Sequence, residues 1–227
     1  FHRKVMEELR DAIGMKELPQ HIECFDNSNI QGTNPVASCV VFRDAEPSKR
    51  DYRHFNIKSV VGANDYASMK EVVNRRYSRM LAEAPDDLPQ LIVIDGGKGQ
   101  LAFAYEAILE LGLQDRVTVV GLAKRLEEVV RIGDPYPLFI DRNSQALKLL
   151  QRLRDEAHRF GITHHRARRS KSQISSALRE IKGVGERTEQ RLLLRFGSVA
   201  GIVAAPVEEI SELVGPALAA RIKDELK

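Results

Sequence analysis

The fold of this chain is constrained most by two uninterrupted apolar segments, LIVID at 91–95 and VTVVGLA at 117–123. Neither segment alternates apolar with polar residues, as a strand with one solvent-facing side would. Between them, apolar residues recur at helical spacing: Leu101, Ala104, Tyr105, Ile108 and Leu109. A buried strand, a helix and a second buried strand predict an α/β domain whose sheet is covered on both faces.

The residues before LIVID predict an antiparallel start to this sheet. Three strand-like segments follow one another closely, HIECFD at 21–26, PVASCVVF at 35–42 and DYRHFNIK at 51–58. A helix is then expected from Asp65, with one apolar stripe: Met69, Val72, Val73, Tyr77, Met80 and Leu81. Three antiparallel strands followed by helix, strand, helix and strand form the element order of a ribonuclease H-like mixed sheet with flanking helices.

Further elements are predicted on both sides of this core. Residues 1–18 carry apolar residues at helical spacing and are expected to form a lead-in helix that Pro19 ends. EEVVRI at 127–132 and PLFID at 137–141 predict a hairpin, and a long helix should start near Ser144. The inward side of that helix is predicted to carry Ala146, Leu149, Leu150, Leu153, Ala157 and Phe160.

A second unit is predicted at the end of the chain. HHRARRSKSQISS at 164–176 is too polar and basic for a core, and we interpret it as a linker. IKGVGERT at 181–188 and ELVGPALAARI at 212–222 each place Gly in a tight turn between short helical patterns, about 32 residues apart. The predicted boundaries are a lead-in helix at 1–18, the ribonuclease H-like domain at 19–169, and a small all-α tandem helix-hairpin-helix domain at 170–227.

Basic residues are concentrated in one part of the chain. Residues 142–195 carry 14 Lys and Arg against 5 Asp and Glu, whereas residues 1–141 carry 18 against 22. Such a belt is expected of a protein that binds nucleic acid, because neutralising phosphates releases condensed counterions. The alternative is a solvated helix face, as most charge runs are.

Composition and termini exclude several classes of protein. No apolar run approaches the roughly 20 residues of a membrane span, so a membrane protein is not expected. Cys24 and Cys39 lie in apolar strand-like runs, which argues against a disulfide framework or a Cys-based zinc site. The chain has neither an initiator Met nor a signal-peptide pattern, and we expect a fragment of a longer cytoplasmic protein.

The turn after LIVID has three interpretations. A nucleotide-binding phosphate loop needs Gly, four residues and then Gly-Lys-Ser/Thr. The segment from Gly96 to Gln100 has the wrong spacing, with Gln where a hydroxyl should bind magnesium. Asp95 could instead cap the helix that begins near Lys98. In the third interpretation, the strand delivers the Asp95 carboxylate to a metal ion.

A second strand that ends in an acidic residue favours the metal ion. Ile22, Cys24 and Asp26 lie on one face of the predicted strand at 21–26. An inward carboxylate costs roughly several kcal/mol unless a cation or a partner compensates it. Carboxylates at neighbouring strand ends, such as Asp26 and Asp95, can hold two divalent ions roughly 3.5–4 Å apart for phosphodiester hydrolysis. Oxygen ligands favour Mg²⁺ or Mn²⁺.

Two further candidates are left open by the residues alone. His158 is one position off the apolar stripe that contains Ala157 and Phe160, so it is either a half-exposed helix residue or a ligand. Asp65 is either a helix-capping carboxylate or a residue close to the metal. In the two Gly turns, backbone N–H groups and a helix N-terminus could contact phosphate oxygens.

Five segments in order carry a resemblance to a known family: CFDNSNIQGTNPVASCVVF, DYRHFNIK, NDYASMKEVVNRRY, LIVIDGGKGQL and RDEAHRFGIT. They closely resemble the C-terminal half of UvrC, the nuclease subunit family of bacterial nucleotide-excision repair, over nearly the whole chain. The resemblance implies a ribonuclease H-like endonuclease domain followed by tandem helix-hairpin-helix motifs. It also implies a divalent-metal-dependent incision 5′ to a DNA lesion, without the 3′ incision.

The resemblance also implies roles for individual residues. Asp26 and Asp95 become metal-binding carboxylates, His158 replaces a further acidic ligand, and Asp65 matches another acidic position. The expected partners are lesion-containing double-stranded DNA and the UvrA and UvrB subunits, with the chain itself a monomer. A non-catalytic DNA-binding scaffold is the alternative. Candidate DNA contacts are Lys98, Arg75, Arg76, Arg159, Arg166, Lys182, Gly183, Gly185, Arg187 and Gly215.

Overall fold

The computed structural model describes residues 1–28, 36–57, 65–125 and 128–226, without the side chains of Ser28, Asp65 and residues 164–176. The chain divides into two compact units, Phe1–His164 and His165–Lys227. Among the described residues, every helix is too short or too polar to cross a membrane.

The first unit contains one mixed sheet, formed among the described residues by eight strands. The strands are β1 His21–Ser28, β2 Val36–Arg43, β3 Glu46–Pro47, β4 Arg53–Asn56, β5 Leu91–Asp95, β6 Thr118–Leu122, β7 Glu128–Arg131 and β8 Leu138–Phe139. Their order is β3-β2-β1-β5-β6-β7-β8, and β4 pairs with β2. β1 is antiparallel to β2 and parallel to β5, which is parallel to β6, and β7 and β8 form a hairpin.

Four helices accompany this sheet: α1 His2–Ile13, α2 Asp65–Glu83, α3 Gly97–Glu110 and α4 Gln145–Arg179. The predicted stripe of α2 is buried or packed against the core, and so is that of α4. β5 is buried along its whole length, as a strand covered on both faces must be. The predicted ribonuclease H-like mixed sheet with flanking helices is confirmed.

Two details of the predicted helices were wrong. The lead-in helix ends at Ile13, well before Pro19, because Gly14 adopts the left-handed conformation that terminates helices. Leu109 of α3 is exposed, since it lies one residue beyond the buried Ile108 and therefore faces away from the core. Residues 35, 58 and 127, at the margins of three predicted strands, lie outside the described part.

The second unit is helical and has its own core. It contains the end of α4, then α5 Glu186–Phe196, α6 Val199–Ala204, α7 Val207–Val214 and α8 Pro216–Glu225. The buried apolar residues are Leu178, Ile181, Val184, Leu192, Ile202, Ala205, Ile210, Ala219 and Ile222. Gly183 and Gly215, with φ of +100° and +90°, occupy the two predicted turns between helices.

Residues 164–176, interpreted as the linker between the two units, lie within α4, which continues through them to Arg179. Their polar and basic composition excludes a buried core but does not oppose a helix. No Gly or Pro interrupts the segment, and Arg, Lys and Gln are favourable helix formers.

Candidate metal centre

Two parallel strands bring Asp26 beside Asp95. β1 and β5 pair in register, so that Asp26, near the carboxyl end of β1, lies opposite Asp95, the last residue of β5. The preceding residues Ile22, Cys24 and Val93 are fully buried. Rigid apolar strands therefore hold two carboxyl groups side by side, with Asp95 buried and Asp26 mostly so.

The third side chain with metal-ligand chemistry is His158 of α4. Its Nε2 atom lies 2.6 Å from Asp95 Oδ2 and 3.5 Å from Asp26 Oδ2. Ligand atoms of the three residues all lie within 4.8 Å of one another. Ser38 of β2 fixes the helix here, since its hydroxyl donates a 3.1 Å hydrogen bond to the Ala157 carbonyl. His158 is half-exposed, as its position beside the apolar stripe predicts, and yet it contacts both aspartates.

Burial makes two negative charges costly at this position. Desolvation, aided by the charge of Asp95, raises the pKa of Asp26 to about 7, although His158 and Arg154 oppose the shift. A divalent cation would favour the ionised form of both carboxyl groups. Two carboxylates and one imidazole at these distances form a donor set that fits such a cation.

The turn after β5 directs the chain away from the Asp95 carboxylate, which contacts His158 and Arg154 instead of the helix that follows. Gly96, not Asp95, is the N-cap of α3, and among the described residues no side chain caps this helix. Gly97 has a φ of +77°, which permits the chain to turn sharply into α3. Gly99 is needed in the first turn of α3, because a Cβ at this position would lie only 2.5 Å from the Tyr66 ring. The interpretation of Asp95 as a helix cap is therefore wrong.

Comparison with known proteins assigns the domain that contains this sheet to a family. The family model of the UvrC RNAse H endonuclease domain matches residues 10–162. The chain belongs to the UvrC family. A second model, the SAM-like helix-hairpin-helix tandem, matches residues 175–227. The sequence resemblance is thus confirmed for both units of this UvrC-family chain.

Two relatives that share one name, UvrABC system protein C, match most of the chain. UvrABC system protein C of Flavobacterium psychrophilum is 53% identical over 97% of this chain, which spans 37% of that protein. The protein of the same name from Porphyromonas gingivalis is 57% identical over 87% of the chain and 33% of its own length. Among solved structures, Ciona intestinalis endonuclease V is 21% identical with a TM-score of 0.36, covering 56% of this chain and 57% of that one.

Arg154 is a further residue of the candidate site and was not among the residues predicted from the sequence. Its Nε lies 3.4 Å from Asp95 Oδ1, and its side chain is mostly buried. Residues four apart on a helix lie on the same face, so Arg154 precedes His158 by one turn. This spacing of four residues from His158 is the sequence feature from which Arg154 could have been predicted. The positive charge partly neutralises the carboxyl pair.

The predicted phosphate contacts of the first unit already have partners within the protein. Lys98 donates from Nζ to the Pro135 carbonyl over 3.0 Å, Arg75 donates to the Asn56 carbonyl over 2.7 Å, and Arg159 pairs with Glu156. The side chains of Lys98, Arg75 and Arg159 retain solvent exposure, and their contacts with DNA stay predictions. The side chains of Asp65 and Arg166 lie outside the described residues.

Arg76, by contrast, is not available to DNA. Its side chain is only 10% exposed and forms an ion pair with the fully buried Glu23. Glu23 also accepts a 2.8 Å hydrogen bond from the Tyr77 hydroxyl and lies 2.7 Å from His21 Nε2. Burial opposes ionisation, but hydrogen bonds from Arg76 and His21 outweigh it and lower the pKa of Glu23 to about 2. The prediction that Arg76 contacts DNA was therefore wrong.

The first hairpin of the second unit exposes the predicted phosphate-binding groups. Lys182, Gly183, Gly185 and Arg187 are all exposed, and Gly215 of the second hairpin is half-buried. Gly185 is the N-cap of α5, and among the described residues no side chain caps that helix. The N-terminal N–H groups of α5 are therefore available to an anion.

Proposed function

We propose that this chain is the part of a UvrC protein that cuts DNA 5′ to a lesion in nucleotide-excision repair, using a divalent metal ion. The convergence of Asp26, Asp95 and His158 at the ends of two parallel strands, in a UvrC-family domain, carries this proposal. The name of the relatives, UvrABC system protein C, supports work alongside UvrA and UvrB, and the cytoplasm is the compartment we propose for it.

The metal ligands in this proposal are Asp26, Asp95 and His158, and the ion is Mg²⁺ or Mn²⁺. The chemistry that such an ion supplies when bound is stabilisation of phosphate charge and activation of water. The register of the two strands holds both carboxylates side by side, which is the arrangement that a preorganised charge-stabilising site requires. In the alternative role of proton carrier, which the same Nε2 atom cannot combine with metal ligation, the half-exposed His158 would pass a proton between the site and solvent.

The incision is tested with a lesion-containing duplex that is loaded with UvrA and UvrB and already cut on the 3′ side. We expect a 5′ nick with Mg²⁺ or Mn²⁺ and none with EDTA. Nicking of a supercoiled plasmid by the chain alone compares Mg²⁺ or Mn²⁺ with EDTA in the absence of UvrA and UvrB. DNA binding without cleavage in either assay, at any divalent metal concentration, would instead identify a non-catalytic scaffold.

The helix-hairpin-helix unit is proposed to hold the DNA through phosphates. Replacing Lys182 and Arg187 with Ala should weaken binding at low salt and reduce the slope of log K against log salt by about one per lost charge. Fluorescence anisotropy over a salt series measures the slope. Lys4→Ala removes an exposed charge from α1 and should leave it unchanged. Equal slopes for the double variant and the parent would exclude these phosphate contacts.

A further inference from the structure

The hairpin of β7 and β8 exposes large aromatic side chains that the proposed reaction does not use. Tyr136 is 77% exposed and Phe139 is 70% exposed, and Ile132 between the strands is also exposed. Apolar side chains of this size are usually buried, and a group of them on one short hairpin marks an interaction surface. We name residues 128–139 the aromatic hairpin.

The aromatic hairpin is attached to the turn that follows Asp95. Lys98 donates from Nζ to the carbonyl of Pro135 in the hairpin loop, over 3.0 Å. A cavity of about 560 Å³ adjoins both elements, and Asp95, Lys98, Pro137 and Arg154 are among the residues that line it. The hairpin is therefore next to the candidate metal centre.

The tip of the hairpin is held by its own hydrogen bonds. Asp134 accepts a 3.0 Å hydrogen bond from the backbone N–H of Tyr136 and forms a 2.7 Å ion pair with Arg131. Tyr136 is therefore presented to solvent from a fixed backbone. A preformed aromatic contact loses little conformational entropy when it binds.

The surroundings of these rings are basic. A second cavity, of about 480 Å³, is lined by Phe139 itself together with basic residues. Across the two cavities, the described charged lining residues are Lys98, Lys124, Arg125, Arg142 and Arg154 against Asp95 and Glu128. This surface is complementary to an acidic polymer that also carries flat apolar groups, because the basic residues would contact its negative charges and the aromatic rings its flat groups.

We propose that the aromatic hairpin stacks unpaired bases of a DNA strand whose phosphates follow the basic cavities toward Asp95. Aromatic rings beside basic residues bind single strands in this way, because every base has a face that can stack. Bases inside an intact duplex already stack on one another, so the ligand is a locally unpaired strand. This proposal rests on the proposed function and names the form of DNA that the site takes.

The test is photo-crosslinking of the full chain to a single strand that carries 5-iododeoxyuridine, in EDTA so that cleavage cannot interfere. Mass spectrometry of the digested adduct locates the contact even though the helix-hairpin-helix unit also binds the strand. We expect adducts at Tyr136 and Phe139. Tyr136→Ala with Phe139→Ala should lower the yield of hairpin adducts about tenfold. Both side chains are exposed, so this variant should fold.

A matched control removes an exposed apolar side chain far from the hairpin. Leu109→Ala lies at the other end of α3 from Lys98, about 17 Å along the helix axis, and should leave the yield of hairpin adducts unchanged. Annealing the complementary strand should suppress these adducts. Adducts confined to other segments, or an equal yield from the duplex, would overturn the proposal.

The two proposals fail separately in these experiments. If hairpin adducts form but the protein never nicks DNA, the proposed stacking surface is supported and the proposed nuclease activity is rejected. Nicking at the parental rate by the Tyr136→Ala and Phe139→Ala variant, with hairpin adducts absent from the parent, would reject the stacking surface and retain the nuclease.

Discussion

Replacing Asp95 with Asn is expected to lower the rate of 5′ nicking by about 10³-fold or more. Asp95 contacts both His158 and Arg154, and it lies beside Asp26 in the register of β1 and β5. Removal of its charge therefore takes away one proposed metal ligand and leaves the Arg154 guanidinium without its carboxylate partner. Asn keeps the size of the side chain, so the buried strand end should retain its packing. Single-turnover nicking of the loaded duplex measures the effect.

The control for this variant is Asp11→Asn, which removes an exposed acidic charge from α1. It should nick at the parental rate. Binding of DNA by the second unit should be the same for the parent and both variants, which separates loss of chemistry from loss of DNA. Affinity for Mn²⁺, followed by calorimetry, should fall for Asp95→Asn alone. If this variant cuts at the parental rate, Asp95 is not a metal ligand in the reaction.

The closeness of Asp26 and Asp95 could be predicted from the sequence, because short-range patterns determine most of the features that bring them together. An apolar strand that ends in Asp, twice, predicts two carboxyl groups at strand ends, and the order of elements predicts that the strands are neighbours. Their exact pairing, Asp26 opposite Asp95, depends on the register of a parallel pair. The sequence does not encode that register locally.

His158 shows where local patterns are insufficient. Its place beside the apolar stripe of α4 predicts a half-exposed residue, which is correct. Contact with the aspartates depends on where the helix sits along the sheet. That position is fixed by contacts between distant residues, including the hydrogen bond from Ser38 to the Ala157 carbonyl. The metal-ligand hypothesis for His158 therefore needed the family resemblance, whereas the geometry now supports it independently.

The burial of Arg76 could have been predicted from the sequence. Arg76 lies four residues after Val72 and three after Val73, which places it on the buried stripe of α2. Glu23 lies in an apolar strand, on the face opposite to Asp26. A basic residue on a buried helix stripe and an acidic residue in a buried strand predict an internal ion pair. The sequence therefore contains a signal that the Arg76 side chain is buried.

Arg76→Ala is expected to lower the free energy of unfolding of the first unit by about 3–5 kcal/mol, because it leaves the buried Glu23 carboxylate without its cation. The lowered pKa of Glu23 means that the pair stabilises the fold fully above the ordinary Glu pKa of 4.5. This contribution is lost as the pH falls toward about 2. The parent and Arg76→Ala should therefore differ most near neutral pH and converge in acid. Urea unfolding followed by circular dichroism measures both effects.

Arg79→Ala is the matched control, because it removes the same side chain one turn later on α2, where Arg79 is 76% exposed and pairs with Glu83 at the surface. The cost of that change should be below about 1 kcal/mol. Replacing Glu23 with Gln and Arg76 with Met together should cost less than Arg76→Ala alone, since no charge is then left buried at this pair and the Tyr77 hydroxyl keeps an acceptor. Where Arg76→Ala remains folded, its DNA affinity should equal that of the parent. Equal costs for Arg76→Ala and Arg79→Ala, or a loss of DNA affinity specific to Arg76, would contradict the internal ion pair and restore Arg76 as a DNA contact.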